Sequence, residues 1–456
     1  MKNNAKATAI RQLSLAAMVF IGSTLTGLAS AQSNMPTFKE SDPVSDYLDA
    51  IDSAEAELSA YSLELSDLYL GLGKSHLSNR EYDRARQAFQ RGMQIERVNF
   101  GLNSLSQTPY LMSIAEAESF LGNWDESQKA LENLYLINTE AYGAQDPRML
   151  PILDELLDWY LGTYSDRSTA GAYQNLVISE KLGTRMQSIL NKTDNLSDPA
   201  TPQMYRKLSH LHYSIANHIK EHGEPSDSGF TFNATSTTSS TNSTSHMHYR
   251  RGKLALQKVV EALELQGDTP AREQANAIAE LGDWYLVFGQ RSSANQTYKL
   301  AYDFLGDSEQ PEQLQEALFG EARLIKFTDI SSTAKRSEKA LSATKALSEK
   351  KALSEKKALS ETKALSDNTA PSEETSNQEP LEIEPMEISM AITSNGVPRN
   401  IEIINPPEDL DKNVRRTIFK DIRAQRYRPK LVAGEPISTA IQFPYGIKQT
   451  AETRDE

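Results

Sequence analysis

Cysteine is missing from the whole sequence, and its absence excludes several kinds of site at once. A chain of 456 residues without cysteine cannot form a disulfide, a thiolate zinc site, a cysteine nucleophile or a lipidated N-terminal cysteine. The fold must be held by apolar packing, and 38% hydrophobic residues suffice for the cores of two or three domains. The net charge of -14 argues against nucleic-acid binding over the whole molecule.

Long apolar runs are also scarce, and the one that resembles a targeting segment lies near the start of the chain. Basic residues precede an uncharged stretch from Leu13 to Leu28, and Ala29-Ser30-Ala31 supplies a cleavage site. A bilayer span needs about 20 apolar residues, so residues 1–31 are expected to be a cleaved signal peptide. We therefore expect a protein without a stable membrane span in the periplasm of a Gram-negative bacterium. An uncleaved signal would instead anchor it in the inner membrane.

Catalytic motifs are absent from the sequence with one exception. There is no Gly-x-Ser-x-Gly, phosphate-binding glycine loop or dinucleotide fingerprint, so we expect no enzyme activity and no cofactor. The exception is His218-Ile219-Lys220-Glu221-His222, which has the His-x-x-Glu-His spacing of one class of zinc metalloproteases. A structural role is favoured, because these histidines close a helix that should end at Gly223 and no distal ligand stands out. A metal site is not expected, and a protease using His218, Glu221 and His222 is the less favoured alternative.

Two segments far apart in the chain share one pattern of apolar and small residues. The shared positions are Leu72, Gly73, Ala85 and Phe89 in the first segment and Leu281, Gly282, Ala294 and Tyr298 in the second. The small residues allow two antiparallel helices to approach closely, while the larger ones fill the space around the contact. The pattern resembles the tetratricopeptide repeat. This resemblance implies an all-α solenoid with a concave surface for a peptide or helix of another protein.

The period of the pattern is longer than in the plain tetratricopeptide repeat. Ile114 lies 42 residues after Leu72, and Leu156 lies 42 residues after Ile114. The extra residues fall between the helix pairs, and the stretch 142–147 resembles the loops of kinesin-light-chain-like repeats. The periodicity predicts about five helix pairs, followed by a capping helix from Glu312 to Phe327.

Two low-complexity segments divide the chain. The helical repeats are expected to span residues 46–327, with a disordered insertion at 224–246 that is rich in serine and threonine. A hexapeptide that begins with Lys-Ala-Leu-Ser then repeats in tandem between Lys339 and Ser366. Leucines six residues apart step about 240° around a helix and form no apolar stripe. Residues 328–384 are therefore expected to be a disordered tether that does not fix the relative positions of the two domains it joins.

Residues 385–447 are predicted to form a small α+β domain. Alternating apolar residues from Ile388 to Ile392 and the turn residues Asn395-Gly396 indicate a hairpin. Apolar residues then recur every fourth position between Leu410 and Ala424, which indicates an amphipathic helix. A last strand is expected from Ile437 to Phe443, which gives the order strand, strand, helix, strand.

This region resembles the TonB C-terminal domain. Gln425-Arg426-Tyr427-Arg428-Pro429 is similar to the family signature Trp-Arg/Lys-Phe/Tyr-x-Pro, although Gln425 stands where the family usually has tryptophan. The residues that match the family pattern are Asn395, Gly396, Arg426, Tyr427, Arg428, Pro429 and Gly434. The predicted protein is therefore multidomain: a helical solenoid, a linker and a small TonB-like domain.

The resemblance implies a partner-binding site at the edge of the sheet. In the TonB family, receptor peptides add a strand beside the C-terminal strand, which here corresponds to Ile437, Ser438, Thr439, Ala440, Ile441, Gln442 and Phe443. The implied partners are envelope proteins or peptides, including outer-membrane receptors and TonB-system components. Nucleic acid is not expected, because the protein is expected to be exported and the basic residues between Lys412 and Lys430 fit a solvated helix face. The predicted function is a periplasmic adaptor accessory to TonB-dependent transport, and the alternative is an envelope assembly scaffold without a transport role.

Overall fold

The computed structural model describes residues 43–193, 196–223, 240–327, 386–406, 410 and 412–445. The predicted signal peptide, residues 1–31, and the predicted tether, residues 328–384, lie outside the described residues. Within the described part of the chain, no helix is both long and apolar enough to cross a membrane.

The described chain is mostly helical, with a few short strands in small sheets. Several helices carry proline in their first turn, where no N–H donor is needed, as Pro109, Pro151 and Pro202 show. The helices before residue 320 are α1 (Pro43–Glu57), α2 (Leu63–Ser78), α3 (Tyr82–Phe100), α4 (Thr108–Phe120), α5 (Trp124–Tyr142), α6 (Leu150–Gly162), α7 (Thr169–Thr193), α8 (Thr201–His222), α9 (Ser240–Leu265), α10 (Ala271–Val287), α11 (Arg291–Gly306) and α12 (Pro311–Phe319). We call them together the helical region.

The helical region is built from helices that pack against their neighbours in the chain. Helix α2 packs on α3, α4 on α5, α6 on α7, α8 on α9, and α10 on α11. Leu72, Ile114 and Leu156, which recur every 42 residues, are buried in α2, α4 and α6. Because each pair leaves an apolar face for the next one, most of the buried side chains form one continuous cluster.

Two of these pairs contain the close contact that the small residues predict. A Cβ atom at Gly73 would overlap the ring of Phe89, and a Cβ atom at Gly282 would overlap the ring of Tyr298. Ala85 and Ala294 are fully buried in the same two pairs. The two segments therefore build equivalent contacts, although they lie near opposite ends of the helical region.

The C-terminal unit, defined here as residues 386–445, contains strands and one helix. Its elements are β2 (Met386–Ile392), β3 (Pro398–Ile403), α13 (Lys412–Ala424), β4 (Tyr427–Arg428), β5 (Lys430–Val432), β6 (Glu435–Ile437) and β7 (Thr439–Tyr445). Strands β3, β2 and β7 form an antiparallel sheet in that order. Ile418 and Ile422 of α13 pack with Ile388 and Met390 of β2, so the helix covers one face of this sheet.

This unit differs in detail from the predicted order strand, strand, helix, strand. The chain forms β4 and the β5–β6 hairpin between α13 and the last strand. Strands of two or three residues are too short to show an alternating pattern in a sequence. Ile437 belongs to β6 and Ser438 lies between strands, so the last strand begins at Thr439 rather than at Ile437.

Two boundaries in the helical region also differ from the prediction. The expected capping helix from Glu312 to Phe327 ends at Phe319, and residues 323–324 form the short strand β1 (Arg323–Leu324) instead. Helix α9 begins at Ser240, inside the expected insertion at 224–246. Serine and threonine are favourable at the start of a helix, so their abundance did not mark the loop end correctly.

The C-terminal unit is docked on the last helices of the helical region. Strand β1 pairs with β4 in antiparallel register, with Arg323 opposite Arg428 and Leu324 opposite Tyr427. Leu431 of β5 is buried in the apolar cluster formed by α10, α11 and α12. The expectation of a tether that fixes no geometry is therefore corrected, because main-chain pairing and a shared core hold the unit in place.

Candidate protein-binding site

Strand β7 has one paired edge and one edge on which no other described strand pairs. It runs beside β2 in continuous register from Met386 opposite Tyr445 to Ile392 opposite Thr439. Since β7 is a terminal strand of the sheet, its outer edge carries main-chain groups that can pair with another strand.

The register shows which residues of β7 direct their main-chain groups outward. The carbonyl of Glu387 accepts a hydrogen bond from the Ile404 N–H at 2.8 Å, so the main chain of Glu387 faces away from β7. Its partner Pro444 therefore belongs to a non-hydrogen-bonded pair, and its nitrogen faces the outer edge. By alternation, Ala440 and Gln442 also direct their N–H and C=O groups outward. This edge offers two donors, followed by a proline that has none.

The opposite edge of the sheet is less regular. Strand β3 has a register shift against β2 between Ser389 and Ala391, and Asn400 has a positive φ of 50°. A bulged edge strand with proline at its start is a poor template for a further strand. The outer edge of β7 is thus the more regular of the two edges. Of the predicted site residues, Thr439 to Phe443 lie on this strand, whereas Ile437 and Ser438 do not.

The signature residues lie elsewhere, at the contact with the helical region. The guanidinium of Arg428 binds the carboxylate of Asp283 on α10 through Nε to Oδ1 at 3.0 Å and Nη2 to Oδ2 at 2.5 Å. The side chains of both residues are at most 10% exposed. Tyr298 of α11 donates its hydroxyl hydrogen to the same Oδ1 at 2.8 Å. Arg428 also lies 5.9 Å from the ring centroid of Phe319.

Electrostatics explains why a buried charge is tolerated here. Burial lowers the pKa of Arg428, but the attraction of Asp283 outweighs it and the pKa lies above its usual value. Burial first, and then the negative charge of Asp283, raises the pKa of Tyr298 well above its ordinary value, so the hydroxyl remains a donor. The bidentate geometry satisfies both charges, which makes Arg428 a docking residue of the C-terminal unit.

The remaining signature residues support the same contact. Asn395 and Gly396 form the turn between β2 and β3, and the Gly396 carbonyl accepts a hydrogen bond from the Tyr427 N–H at 2.9 Å. Gly396 has a φ of +66°, and a Cβ atom there would overlap the Tyr427 carbonyl oxygen. The Arg426 carbonyl accepts a hydrogen bond from the Ile325 N–H at 2.9 Å.

Two further signature positions, Pro429 and Gly434, complete the contact. Pro429 is buried between β4 and β5. Gly434 lies against Lys299, Tyr302 and Asp303 of α11. The signature region therefore joins the C-terminal unit to the helical region and does not line the edge of β7.

The helical region contains a separate cleft between α5 and α7, with α6 as its floor. Its volume is about 530 Å³, and its apolar lining includes Tyr135, Tyr160, Ile178 and Leu182. Lys181 and Arg185 stand on the α7 side, and Glu132 stands on the α5 side. The Gln174 amide donates to Gln128 Oε1 at 3.3 Å and bridges the two walls. An apolar cleft with charged rims suits a peptide or an amphipathic helix.

The first of the two histidines with metalloprotease spacing is engaged in packing, whereas His222 is exposed. His218 is 2% exposed, its Nδ1 lies 2.7 Å from the Tyr164 hydroxyl, and its ring stacks on Tyr173. Burial, and then His222, lowers the pKa of His218. Among the described residues, no group of three or more histidine, aspartate or glutamate side chains is arranged to hold a metal ion.

The sequence patterns do not identify Asp283, Tyr298 or Leu431 as docking residues. Asp283 follows Gly282 directly and thus occupies a position inside the tight helix contact, where a charge is unusual. The position of Asp283 beside Gly282 indicates that a further residue must bind it, because a buried aspartate requires a partner.

Comparison with known proteins adds little to this description. No protein-family model matches the sequence, and no curated protein matches it. Among solved structures, the chain is similar to BtubC (BKLC) from P. vanneervenii, with a TM-score of 0.37 and 11% sequence identity. That alignment covers 58% of this chain and 90% of the other. At this TM-score the similarity supports no inference about fold family or function.

Proposed function

We propose that this protein is an exported adaptor, without enzyme activity, that binds another polypeptide by strand addition at the outer edge of β7. The observation that carries the proposal is the outward direction of the Ala440 and Gln442 amides on a regular terminal strand. Main-chain hydrogen bonds to such an edge provide affinity with few demands on the partner's sequence. The partner class is an extended segment of an envelope protein, such as an outer-membrane receptor or a TonB-system component. The proposed compartment is the periplasm.

The proposal includes two family assignments, a tetratricopeptide-like solenoid and a TonB-like C-terminal domain. The equivalent glycine–aromatic contacts at Gly73 and Gly282 support the first. The three-stranded sheet backed by α13, with the turn at Gly396, supports the second. Neither assignment implies force transmission. TonB-family proteins that transmit force keep an N-terminal membrane anchor, and cleavage of the predicted signal peptide would remove it.

Docking of the C-terminal unit on the helical region fixes the position of the binding edge in such an adaptor. Because β4 pairs with β1 and Arg428 binds Asp283, the edge of β7 is held at a fixed position relative to the helices. An adaptor of this kind presents its binding surfaces as one preorganised body, which reduces the entropy lost when a partner binds.

The proposal can be tested by titrating the full-length protein with synthetic peptides from periplasmic segments of outer-membrane receptors. Amide chemical shifts should change for Ala440 and Gln442, the two outward-facing donors of β7. Gln442→Pro should abolish binding and leave the fold intact, since its N–H is not needed for pairing with β2. Gln442→Ala is the matched control, because it shortens the same side chain but keeps the N–H, and it should bind as the native protein does.

Two results would remove the strand-addition proposal. One is the absence of amide shifts along β7 with every peptide. The other is equal loss of binding in Gln442→Pro and Gln442→Ala, which would place the contact on the side chain rather than on the main chain.

The second candidate function is an assembly scaffold that acts through the helical region alone. The cleft between α5 and α7 favours it, since an apolar floor with the cations Lys181 and Arg185 on one rim fits an amphipathic acidic segment. Crosslinked partners recovered from intact cells distinguish the candidates. Lys181→Glu with Arg185→Glu should lose the partner of a scaffold, whereas Gln442→Pro should lose the partner of a strand-addition adaptor.

A further inference from the structure

Helix α13 carries a row of exposed basic side chains that the docking and the β7 edge leave unused. We call Lys412, Arg415, Arg416, Lys420 and Arg423 the basic stripe; all five are exposed. Within the described residues, none of the five forms an ion pair with an aspartate or glutamate. The basic stripe is therefore a patch of positive charge on a chain whose net charge is -14.

An aromatic ring, that of Phe419, lies at the centre of the basic stripe. The ring of Phe419 is half-buried against the sheet, and the guanidiniums of Arg415 and Arg423 lie 5.4 and 5.9 Å from its centroid. These arginines lie one turn before and one turn after Phe419, so the ring holds both charged groups on the same side of the helix. Together with Lys412 and Arg416, they line a shallow concavity of about 250 Å³.

The acidic residue of the helix does not interrupt the stripe. Residues two positions apart in an α-helix are separated by about 200° around its axis, so Asp421 faces away from Phe419. Its negative charge contributes to the raised pKa of Tyr445 on β7, after the larger effect of burial. The stripe therefore presents only positive charge over the length of α13.

We propose that the basic stripe binds the phosphate groups of an anionic phospholipid surface. Guanidiniums match phosphate oxygens in bidentate geometry, and a cluster of four to eight lysines and arginines on an amphipathic helix is typical of anionic-lipid binding. The apolar face of α13 is used by Ile418 and Ile422 against the sheet. The helix therefore rests on the lipid headgroups by charge and does not insert. An extended peptide fits less well, because the main-chain groups of a helix are already paired and offer none for strand addition.

The test is cosedimentation of the full-length protein with vesicles of phosphatidylcholine, with and without phosphatidylglycerol. Binding should require phosphatidylglycerol and decrease steeply with salt. The triple variant Arg415→Gln, Arg416→Gln and Arg423→Gln should lower the partition coefficient about fivefold per charge, or about a hundredfold in total. The matched control is Lys74→Gln, Arg250→Gln and Arg272→Gln, which removes the same charge from exposed positions of the helical region and should bind as the native protein does.

Several outcomes would overturn the proposal. They are no binding to phosphatidylglycerol vesicles at low salt, or equal loss in both triple variants, which would assign the effect to net charge. Tighter binding of the stripe to polyglutamate or to DNA than to the vesicles would assign it to another class of partner. The variant Arg415→Lys, Arg416→Lys and Arg423→Lys keeps the charge but loses the bidentate geometry, so its lipid binding should lie between that of the native protein and that of the glutamine variant. Binding as weak as in the glutamine variant would contradict a charge-based contact.

Discussion

Arg428 and Asp283 form a bidentate, buried ion pair although 145 positions separate them in the chain. Arg428 belongs to the C-terminal unit and Asp283 to α10, so the pair joins the two parts of the molecule. Tyr298 completes the arrangement by donating to the same carboxylate. The C-terminal unit is therefore part of the folded body of the protein, and variants at this contact should affect both parts.

Removing one member of the pair should be more harmful than removing both. Arg428→Met leaves the carboxylate of Asp283 buried without its countercharge, and we expect the free energy of unfolding to decrease by about 3–5 kcal/mol. Replacing both residues, Arg428→Met with Asp283→Leu, should recover part of this loss because no uncompensated charge remains. Urea unfolding of the native protein, both single variants and the double variant measures the coupling. Additive effects of the two substitutions would contradict a direct pairing.

Leu431 and Val432 are adjacent residues of β5 with opposite surroundings. Leu431 is 4% exposed in the core of the last helices, whereas Val432 is 50% exposed. Leu431→Ala should decrease the free energy of unfolding by about 2–5 kcal/mol, because it leaves a cavity between the unit and the helices. Val432→Ala is the control and should change it by less than about 0.5 kcal/mol. Similar effects of the two substitutions in thermal or urea unfolding would mean that Leu431 is not docked.

The buried pair of His212 on α8 and His248 on α9 should make stability depend on pH. Their Nδ1 atoms lie 3.1 Å apart, and burial, followed by His248 and Arg251, lowers the pKa of His212 from 6.5 to about 3. Below pH 6.5 the unfolded chain binds a proton that the folded protein does not. This contribution to stability is thus fully present above that pH and is lost as the pH falls toward 3.

The expected size follows from the linkage between proton binding and folding. The free energy of unfolding should decrease by up to about 1.4 kcal/mol per pH unit between pH 6 and pH 4 on account of His212. His212→Leu should reduce this slope, as measured by urea unfolding at several pH values. A slope that is unchanged in His212→Leu would show that His212 takes up its proton equally well in the folded protein.

Much of the helical architecture follows from local patterns. The 42-residue recurrence of Leu72, Ile114 and Leu156 predicted which side chains would be buried, and Gly73 and Gly282 predicted where helices approach closely. The hairpin at Gly396 was equally clear, because a turn between two alternating stretches needs a residue that tolerates positive φ. These signals work because they lie within a few turns or one hairpin.

The docking could not be predicted in the same way. Strands β1 and β4 each contain two residues, so they produce no periodic signal, and they pair across a long stretch of chain. Arg428 was identified only as a signature residue, because nothing in the sequence states that its partner is Asp283. Periodic sequence patterns predict the repeats and the hairpin. The contact between the C-terminal unit and the helical region depends instead on single residues that lie far apart in the chain.

The docked arrangement is tested most directly by a zero-length crosslink between Lys299 on α11 and Glu435 on β6. Lys299 Nζ and Glu435 Oε1 are 3.0 Å apart and both side chains are more than half exposed, so a carbodiimide should join them. We expect an intramolecular amide between these residues in the full-length protein, found by peptide mass spectrometry, and much less of it in Arg428→Met. If the reaction links Lys258 to Glu261, which are 2.6 Å apart within α9, but never Lys299 to Glu435, the C-terminal unit is not docked on the helical region.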